Sequence, residues 1–496
     1  MKQTIVFAKA AMIGRAPPPA HRPGAAGAAP APSMTVPRSR QPALLTVMMW
    51  VLMIFTIVPE GFKYYGPAAP VIPGMAAPVI AAMPTEGSPL SRSIWLILLA
   101  YGVISLASKS QPAMKVIRAT NPYLLLFMGL VAMSILWSIE PAITARRLIR
   151  AGTIVLVSLT FATLARDPRA FQRTLRPILL VVCIGSIIFV MQAPELAIEQ
   201  LNQTELVGAW HGLAVQKNGL GSLAAVGLLL WLHGWLSKES NPLLALFGML
   251  VSGICLVNSR SSTSIMAAVF ACVLLLMLMR SPQGLRRYLP YLIGLFVIML
   301  LTYSLAVLNL VPGSGILLSP ITALTGKDQT FSGRTAIWEI INRHIALHPL
   351  LGTGYGAYWV QVPGSPSMET LQRLYFYPTE SHNGYIDVIN DLGWVGGFIL
   401  IGYLIFFVRQ GLRIFKVFRY QGALFLAMIF EQMIANLSEA RWFNSLSNEF
   451  VITTIATAAM ANVYLYTVRQ RSQQQSPGPR PAAPLPRQLG RNSRFS

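Results

Sequence analysis

The 496-residue chain is 54% hydrophobic and only 11% charged, against roughly 25% charged in soluble domains. A chain so poor in charge cannot cover itself with polar surface, which excludes a soluble globule. Its long apolar runs lack the alternation of barrel strands, so helices are the expected spanning element.

Residues 1–41 are rich in Pro, Ala and Gly and hold no apolar run that would serve as a signal segment. They read as a disordered cytoplasmic tail, with targeting left to the first membrane helix. A membrane domain is expected over 42–467. Its spans fall at about 42–58, 90–107, 121–138, 145–164, 177–193, 212–236, 242–258, 262–279, 289–310, 384–408, 420–437 and 449–467, each near the roughly 20 residues that cross a hydrocarbon core. Residues 468–496, rich in Gln, Pro and Arg, read as a second disordered cytoplasmic tail. The expected class is therefore an all-α polytopic integral membrane protein with about twelve transmembrane helices. Cys183, Cys255 and Cys272 lie in apolar segments without metal-ligand spacing and read as packing residues.

With the N-terminus inside, 27 of the 39 Lys and Arg residues fall in cytoplasmic segments, and among the 17 acids only Asp167 and Glu239 do. The positive-inside rule thus agrees with both termini inside. It also accounts for the net charge of +22 without a nucleic-acid partner. Topology leaves the external basic residues unexplained: Lys63, Arg92, Arg146, Arg147, Arg150, Lys217, Arg260, Lys327, Arg334, Arg343, Arg373 and Arg441. Single cations at span ends commonly snorkel to headgroups. Arg146, Arg147 and Arg150, spaced by three and four residues on one helix, repel one another unless an anion bridges them.

One external connection is long, 311–381, and long loops tend to house function. It holds Gly333-Arg334 and Trp338, then the apolar pattern Ile337, Ile340, Ile341, Ile345, which predicts a short amphipathic helix on the membrane surface. Gly352-Thr353-Gly354-Tyr355-Gly356 follows as its terminator. It lacks the Gly-Lys-Ser/Thr end of a phosphate loop and reads as a turn bringing backbone close to another segment. Glu380-Ser381-His382-Asn383 closes the loop at the mouth of the tenth span. His382 is the best external candidate for a general base, against the alternative of a helix-start hydrogen bond. Glu380 either orients it or favours the positive helix end.

A base near several guanidiniums suits attack by a deprotonated acceptor with departure of an anionic leaving group, and arginine matches pyrophosphate oxygens. No Asp-x-Asp pair or metal-ligand cluster is apparent, so neither a metal nor another cofactor is expected. A sugar transfer on this face needs a lipid-linked donor.

Several blocks in order then carry a family resemblance. They are Trp137-Ser138-Ile139-Glu140-Pro141 with Arg146-Arg147, Lys217-Asn218-Gly219-Leu220-Gly221, Asn258-Ser259-Arg260-Ser261, Gly333-Arg334 with Trp338, and Pro349-Leu350-Leu351-Gly352-Thr353-Gly354. The last is His382-Asn383 followed after nine residues by Gly393 and then Gly396. Over roughly 120–465 the chain resembles the O-antigen ligase and polysaccharide polymerase superfamily, and within it the exopolysaccharide polymerases most closely. The resemblance implies a bacterial inner-membrane enzyme with a periplasmic active site. It would polymerise oligosaccharide repeat units carried on undecaprenyl pyrophosphate by transfer to an acceptor sugar hydroxyl, independently of metal. It implies His382 as base and Arg260 and Arg334 as pyrophosphate ligands, helped by Arg146, Arg147 and Lys217, with Asn383, Glu380 and Trp338 in support. Chain-length regulators and export proteins are the implied protein partners. Relatives often carry a histidine before the Lys-Asn pair, where this chain has Gln216, with His211 nearby. The alternatives are a ligase delivering glycan to a lipid or protein acceptor, and a transporter or flippase of lipid-linked glycans. The absence of an internal repeat, and the clustering of polar groups at one face, count against the last.

Overall fold

In a computed structural model the described residues are 42–59, 88–199, 207–280, scattered positions over 282–298, 334–360, 365–374 and 378–475. The expected N-terminal tail, most of the ninth span and much of the long loop lie outside them. Among the described residues no β-strand forms beyond one isolated bridge, Ile198 to Trp210. The chain is an all-α polytopic membrane protein, and among the described residues seven helices are long and apolar enough to cross a bilayer, or eight if one bent pair is a single span.

Each expected span apart from the ninth has its helix. The first ten are α1 (Ala43–Ile57), α2 (Pro89–Ser108), α3 (Ser110–Ala119), α4 (Pro122–Ser134), α5 (Pro141–Leu164), α6 (Ala170–Gln192), the single turn α7 (Pro194–Ala197), α8 (Lys217–Leu236), α9 (Pro242–Asn258) and α10 (Ser262–Arg280). The loop contributes α11 (Arg334–Leu347) and α12 (Met368–Leu374). The last three are α13 (Gly384–Phe415), α14 (Arg419–Ala435) and α15 (Asn448–Gln475). Proline at the first turn, where its missing donor costs nothing, opens α2, α4 and α9 behind the capping side chains of Ser88, Asn121 and Asn241.

Helices α8, α14 and α15 form the interior. Four fifths of the α8 window is buried against one tenth of that of α2, whose outer face is left to lipid. The α14 segment from Gln421 to Ala435 is buried throughout, including Gln421, Glu431 and Gln432. Two boundaries differ from expectation. Helix α15 runs on to Gln475 rather than giving way at residue 468, because Gln and Arg are good helix formers once outside the bilayer. The segment expected to span from 121 is preceded by α3, which meets α4 at 97°.

A third difference bears on the site. Helix α11 was expected to lie on the membrane surface. Its apolar stripe, Ile337, Trp338 and Ile341, is instead buried against Tyr358 and against Ile386 of α13. The stripe is narrow and contains a tryptophan whose N–H needs an acceptor, which protein supplies and lipid does not.

Helix α13 is broken inside. Gly393 sits at φ 63°, ψ −169°, a conformation open to glycine and costly for other residues. The freed groups are met by the glycine-rich run. Trp394 N donates to Pro349 O (2.8 Å), Val395 N to Leu350 O (3.2 Å), Thr353 N to Asn390 O (3.4 Å) and Gly354 N to Asp391 O (3.0 Å). On its other side the run is tied to the α4–α5 turn, where Ile139 N donates to Thr353 O (2.9 Å) and Trp137 Nε1 to Leu351 O (3.1 Å). The reading of this run as a close backbone approach therefore holds. A Cβ on residue 393 would strike the Leu350 carbonyl. Gly393→Ala is expected to cost at least about 1–3 kcal/mol; detergent-solubilised protein should melt several degrees lower, and an unchanged melting temperature would contradict the clamp.

Candidate active site

His382 precedes α13 and adopts φ 54°, a left-handed conformation that few side chains other than Gly, Asn, Asp and His tolerate. The surroundings fix it there. Asn383 caps α13, its Oδ1 accepting from Tyr385 N (3.0 Å) and Ile386 N (3.3 Å). Ser381 Oγ donates to Asn383 O (2.8 Å), and Trp338 Nε1 of α11 donates to Ser381 O (2.8 Å). Asn383 and Trp338 thus position the histidine from both sides.

Around the ring the structure gathers charge from three places in the chain. His382 Nδ1 lies 3.2 Å from Glu380 Oε1 and 3.9 Å from Glu439 Oε2. Glu439, in the connection between α14 and α15, is a hub. Asn218 Nδ2 donates to its Oε1 at 2.6 Å, Arg334 Nη2 stands 3.5 Å from the same oxygen, and Arg441 Nη2 stands 3.9 Å from Oε2. Arg441 also pairs with Glu449 and donates to Asn218 O at 3.0 Å. Backbone holds this connection in place, since Gly384 N donates to both Asn436 O (2.9 Å) and Glu439 O (3.0 Å).

The electrostatics follow from this arrangement. Burial disfavours the imidazolium, but Glu380 and Glu439 outweigh it and raise His382 to about 9. Burial disfavours ionised Glu439, and the pairing with His382, Arg441 and Arg334 prevails, holding it down at about 2. Glu380, pushed up by burial and by Glu439 against the pull of His382, comes to about 7. Both carboxylates face Nδ1, an arrangement that favours the proton on that nitrogen in the neutral ring.

Glu380, His382 and Glu439 also place their oxygen and nitrogen atoms within 4.8 Å of one another, as metal ligands do. The sequence reading found no metal-ligand cluster because Glu439 is remote in the chain. Two guanidiniums already occupy Glu439, and a divalent cation there would face Arg334 and Arg441 at close range. The charges are better matched by an imidazolium than by a metal.

The other expected site residues are placed unequally. Lys217 opens α8, and its neighbour Asn218 reaches the hub. Arg260, at φ 47°, is exposed, donates to Val207 O at 2.7 Å and rests on Gly208. Its turn is joined to the Glu439 connection by Ser438 Oγ donating to Thr263 Oγ1 (2.7 Å). The three arginines of α5 diverge. Arg146 is exposed and donates to Ala142 O (3.3 Å), Arg147 packs on Gly356 of the glycine-rich run, and Arg150 covers the Trp95 ring at 4.7 Å. Arg147 and Arg150 are thus engaged with the glycine-rich run and with α2, respectively. Glu439, Asn436 and the pairing role of Arg441 were missed. The available signal was the crowding of polar residues in Asn436–Arg441 directly after an apolar span.

The blocks singled out in the sequence therefore meet at one end of the helix bundle. Residues 247–401 match the family model described as O-Antigen ligase. The chain resembles the O-antigen ligase and polymerase superfamily. It is also 27% identical over 290 residues to "Exopolysaccharide production protein ExoQ" of Rhizobium meliloti (strain 1021). That alignment covers 57% of this chain and 63% of the relative, so the chain spans a little under two thirds of the relative's length.

Glu439→Gln removes the charge on which His382, Arg334 and Arg441 converge. A loss of about 1–3 kcal/mol is expected, read as a lower melting temperature at pH 7. The stabilisation by Glu439 is complete above its unfolded value near 4.5 and is lost as pH falls through about 2. The variant should lack that acid-dependent component, and an identical pH profile of melting would remove Glu439 from the network.

Proposed function

We propose that this protein polymerises lipid-linked oligosaccharide repeat units in exopolysaccharide synthesis, on the periplasmic face of a bacterial inner membrane. The donor is a glycan on undecaprenyl pyrophosphate and the acceptor a sugar hydroxyl. The observation that carries the reading is His382, held with Nδ1 toward Glu380 and Glu439, with Arg334 on the same Glu439 carboxylate.

In the proposed step the acceptor oxygen attacks the anomeric carbon and its proton passes to His382 Nε2. The bond from that carbon to the pyrophosphate oxygen breaks, and the electron pair leaves with undecaprenyl pyrophosphate. Glu380 and Glu439 stabilise the imidazolium as it forms. Arg334, half-buried at the first turn of α11, meets the leaving pyrophosphate with the positive helix end behind it. Arg260 adds charge from the exposed turn after α9. Arg146, Arg147 and Lys217 act further out, Arg147 chiefly by supporting the glycine-rich run. Direct attack inverts the anomeric configuration, and a retained configuration in the product would overturn single displacement. A ligase runs the same chemistry with a lipid or protein acceptor, and the name of the relative favours the polymer.

The test is polymer output in a deletion strain complemented with wild type, His382→Ala or Arg334→Ala at matched membrane levels. Loss of long polymer by at least about 100-fold, the lower range for a proton-transfer residue, with single repeats left on the carrier, is expected. Full-length polymer from both variants would reject the site, and polymer that never reaches an acceptor would mark a ligase.

The pH dependence gives a separate check. If neutral His382 is the base, the transfer rate in membranes should rise with pH and level off near 9. Glu380→Gln should move that limb downward by removing a charge that stabilises the imidazolium. A limb at 7 in the wild type would assign the proton to Glu380 instead.

A further inference from the structure

Away from the His382 cluster, toward the other end of α13, lies a cleft of about 250 Å³ lined by Tyr123, Gly402, Ile405, Phe406, Arg409, Gln410 and Arg413. Arg409 and Arg413 are one turn apart and exposed. Neither has a carboxylate or hydrogen-bond partner among the described residues. Like charges so spaced repel unless an anion lies between them.

The walls are fixed. Asn121 Nδ2, at the corner of α3 and α4, donates to Tyr403 O (2.9 Å), and Gln410 Nε2 donates to Ala119 O (3.0 Å). The Tyr123 ring packs on Gly402, where a Cβ would not fit. The same corner sets the depth of the cleft. Helix α3 turns 97° from the spanning direction of α4 and carries Lys115 and Arg118 with Ala113 and Val116 buried, the pattern of a helix lying in the headgroup layer. The bond from Gln410 to Ala119 puts Arg409 and Arg413 at that level.

Above the arginines the same face of α13 presents Ile405, Ile401 and Phe398, at 54%, 48% and 67% exposure. Read along the helix, this face is two turns of positive charge at headgroup depth followed by an apolar strip at acyl-chain depth. The chemistry that matches both parts in one molecule is an anionic phospholipid.

We propose that this cleft is a binding site for an anionic phospholipid, its phosphate between Arg409 and Arg413 and its chains along Ile405, Ile401 and Phe398. Basic pockets between spanning helices take such headgroups, and a free phosphate would leave the apolar strip unused. The site is separate from the proposed catalytic cluster, and its test does not depend on activity.

Full-length protein is delipidated in detergent and titrated with phosphatidylglycerol, phosphatidylcholine or inorganic phosphate, with bound adducts counted by native mass spectrometry and melting followed in parallel. A phosphatidylglycerol adduct that the doubly substituted R409Q/R413Q variant holds about tenfold less tightly is expected. The variant should melt as wild type without lipid, since both side chains are exposed. Lys416→Gln, which removes a nearby charge that does not line the cleft, should keep the adduct. Equal adducts in wild type and double variant, an equal loss in Lys416→Gln, or equal binding of phosphatidylcholine would each reduce the effect to bulk lipid contact and overturn the site. Arginine-dependent stabilisation by inorganic phosphate matching that by phosphatidylglycerol would assign the pair to a soluble anion.

Discussion

A bilayer offers no partner for an unpaired peptide group, and α13 breaks its own ladder at Gly393. The break persists because the Pro349–Gly354 run supplies the missing donors and acceptors from the side. Much of the upper structure depends on that exchange. The run is also bonded to the α4–α5 turn, so α4, α5 and α13 are drawn together at the level of the site. With α13 so fixed, its first turn sets Asn383 and His382, and its outer face gives α11 the apolar seat that brings Arg334 inward.

Charge is handled differently in the two halves of the molecule. Near His382 acids and bases are interleaved, and the Glu439 hub brings opposite charges within 4 Å on several sides. At the opposite end, Arg409 and Arg413 pair with no acid among the described residues.

Spans were legible because hydropathy reports contact with lipid, and the interruptions of the apolar runs fall at helix ends. The bend between α3 and α4 was not, since Lys109 to Thr120 reads simply as a basic connection. Helix α11 was recognised as amphipathic, but an apolar stripe does not say whether protein or lipid will cover it. Within the site, His382, Glu380 and Asn383 stood together in sequence and were found. Glu439 was not, because it meets His382 only through the fold, while the blocks quoted for the family named Asn218 and Arg334 without naming the carboxylate they share.

Helix α14 carries a further implication, for the making of the protein rather than its working. Gln421, Glu431 and Gln432 are buried inside this helix, and an acidic residue in a lone transmembrane helix costs up to about 3 kcal/mol of insertion energy. Within the helix Gln432 Nε2 donates to Glu431 Oε2 at 2.7 Å, and α10 and α13 pack along it and cover these side chains. Helix α13 is joined to α14 by only three residues, Lys416 to Phe418. The geometry therefore favours biogenesis in which α13 and α14 enter the bilayer as a hairpin against an already seated α10, with the polar core of the protein assembled during insertion instead of after it.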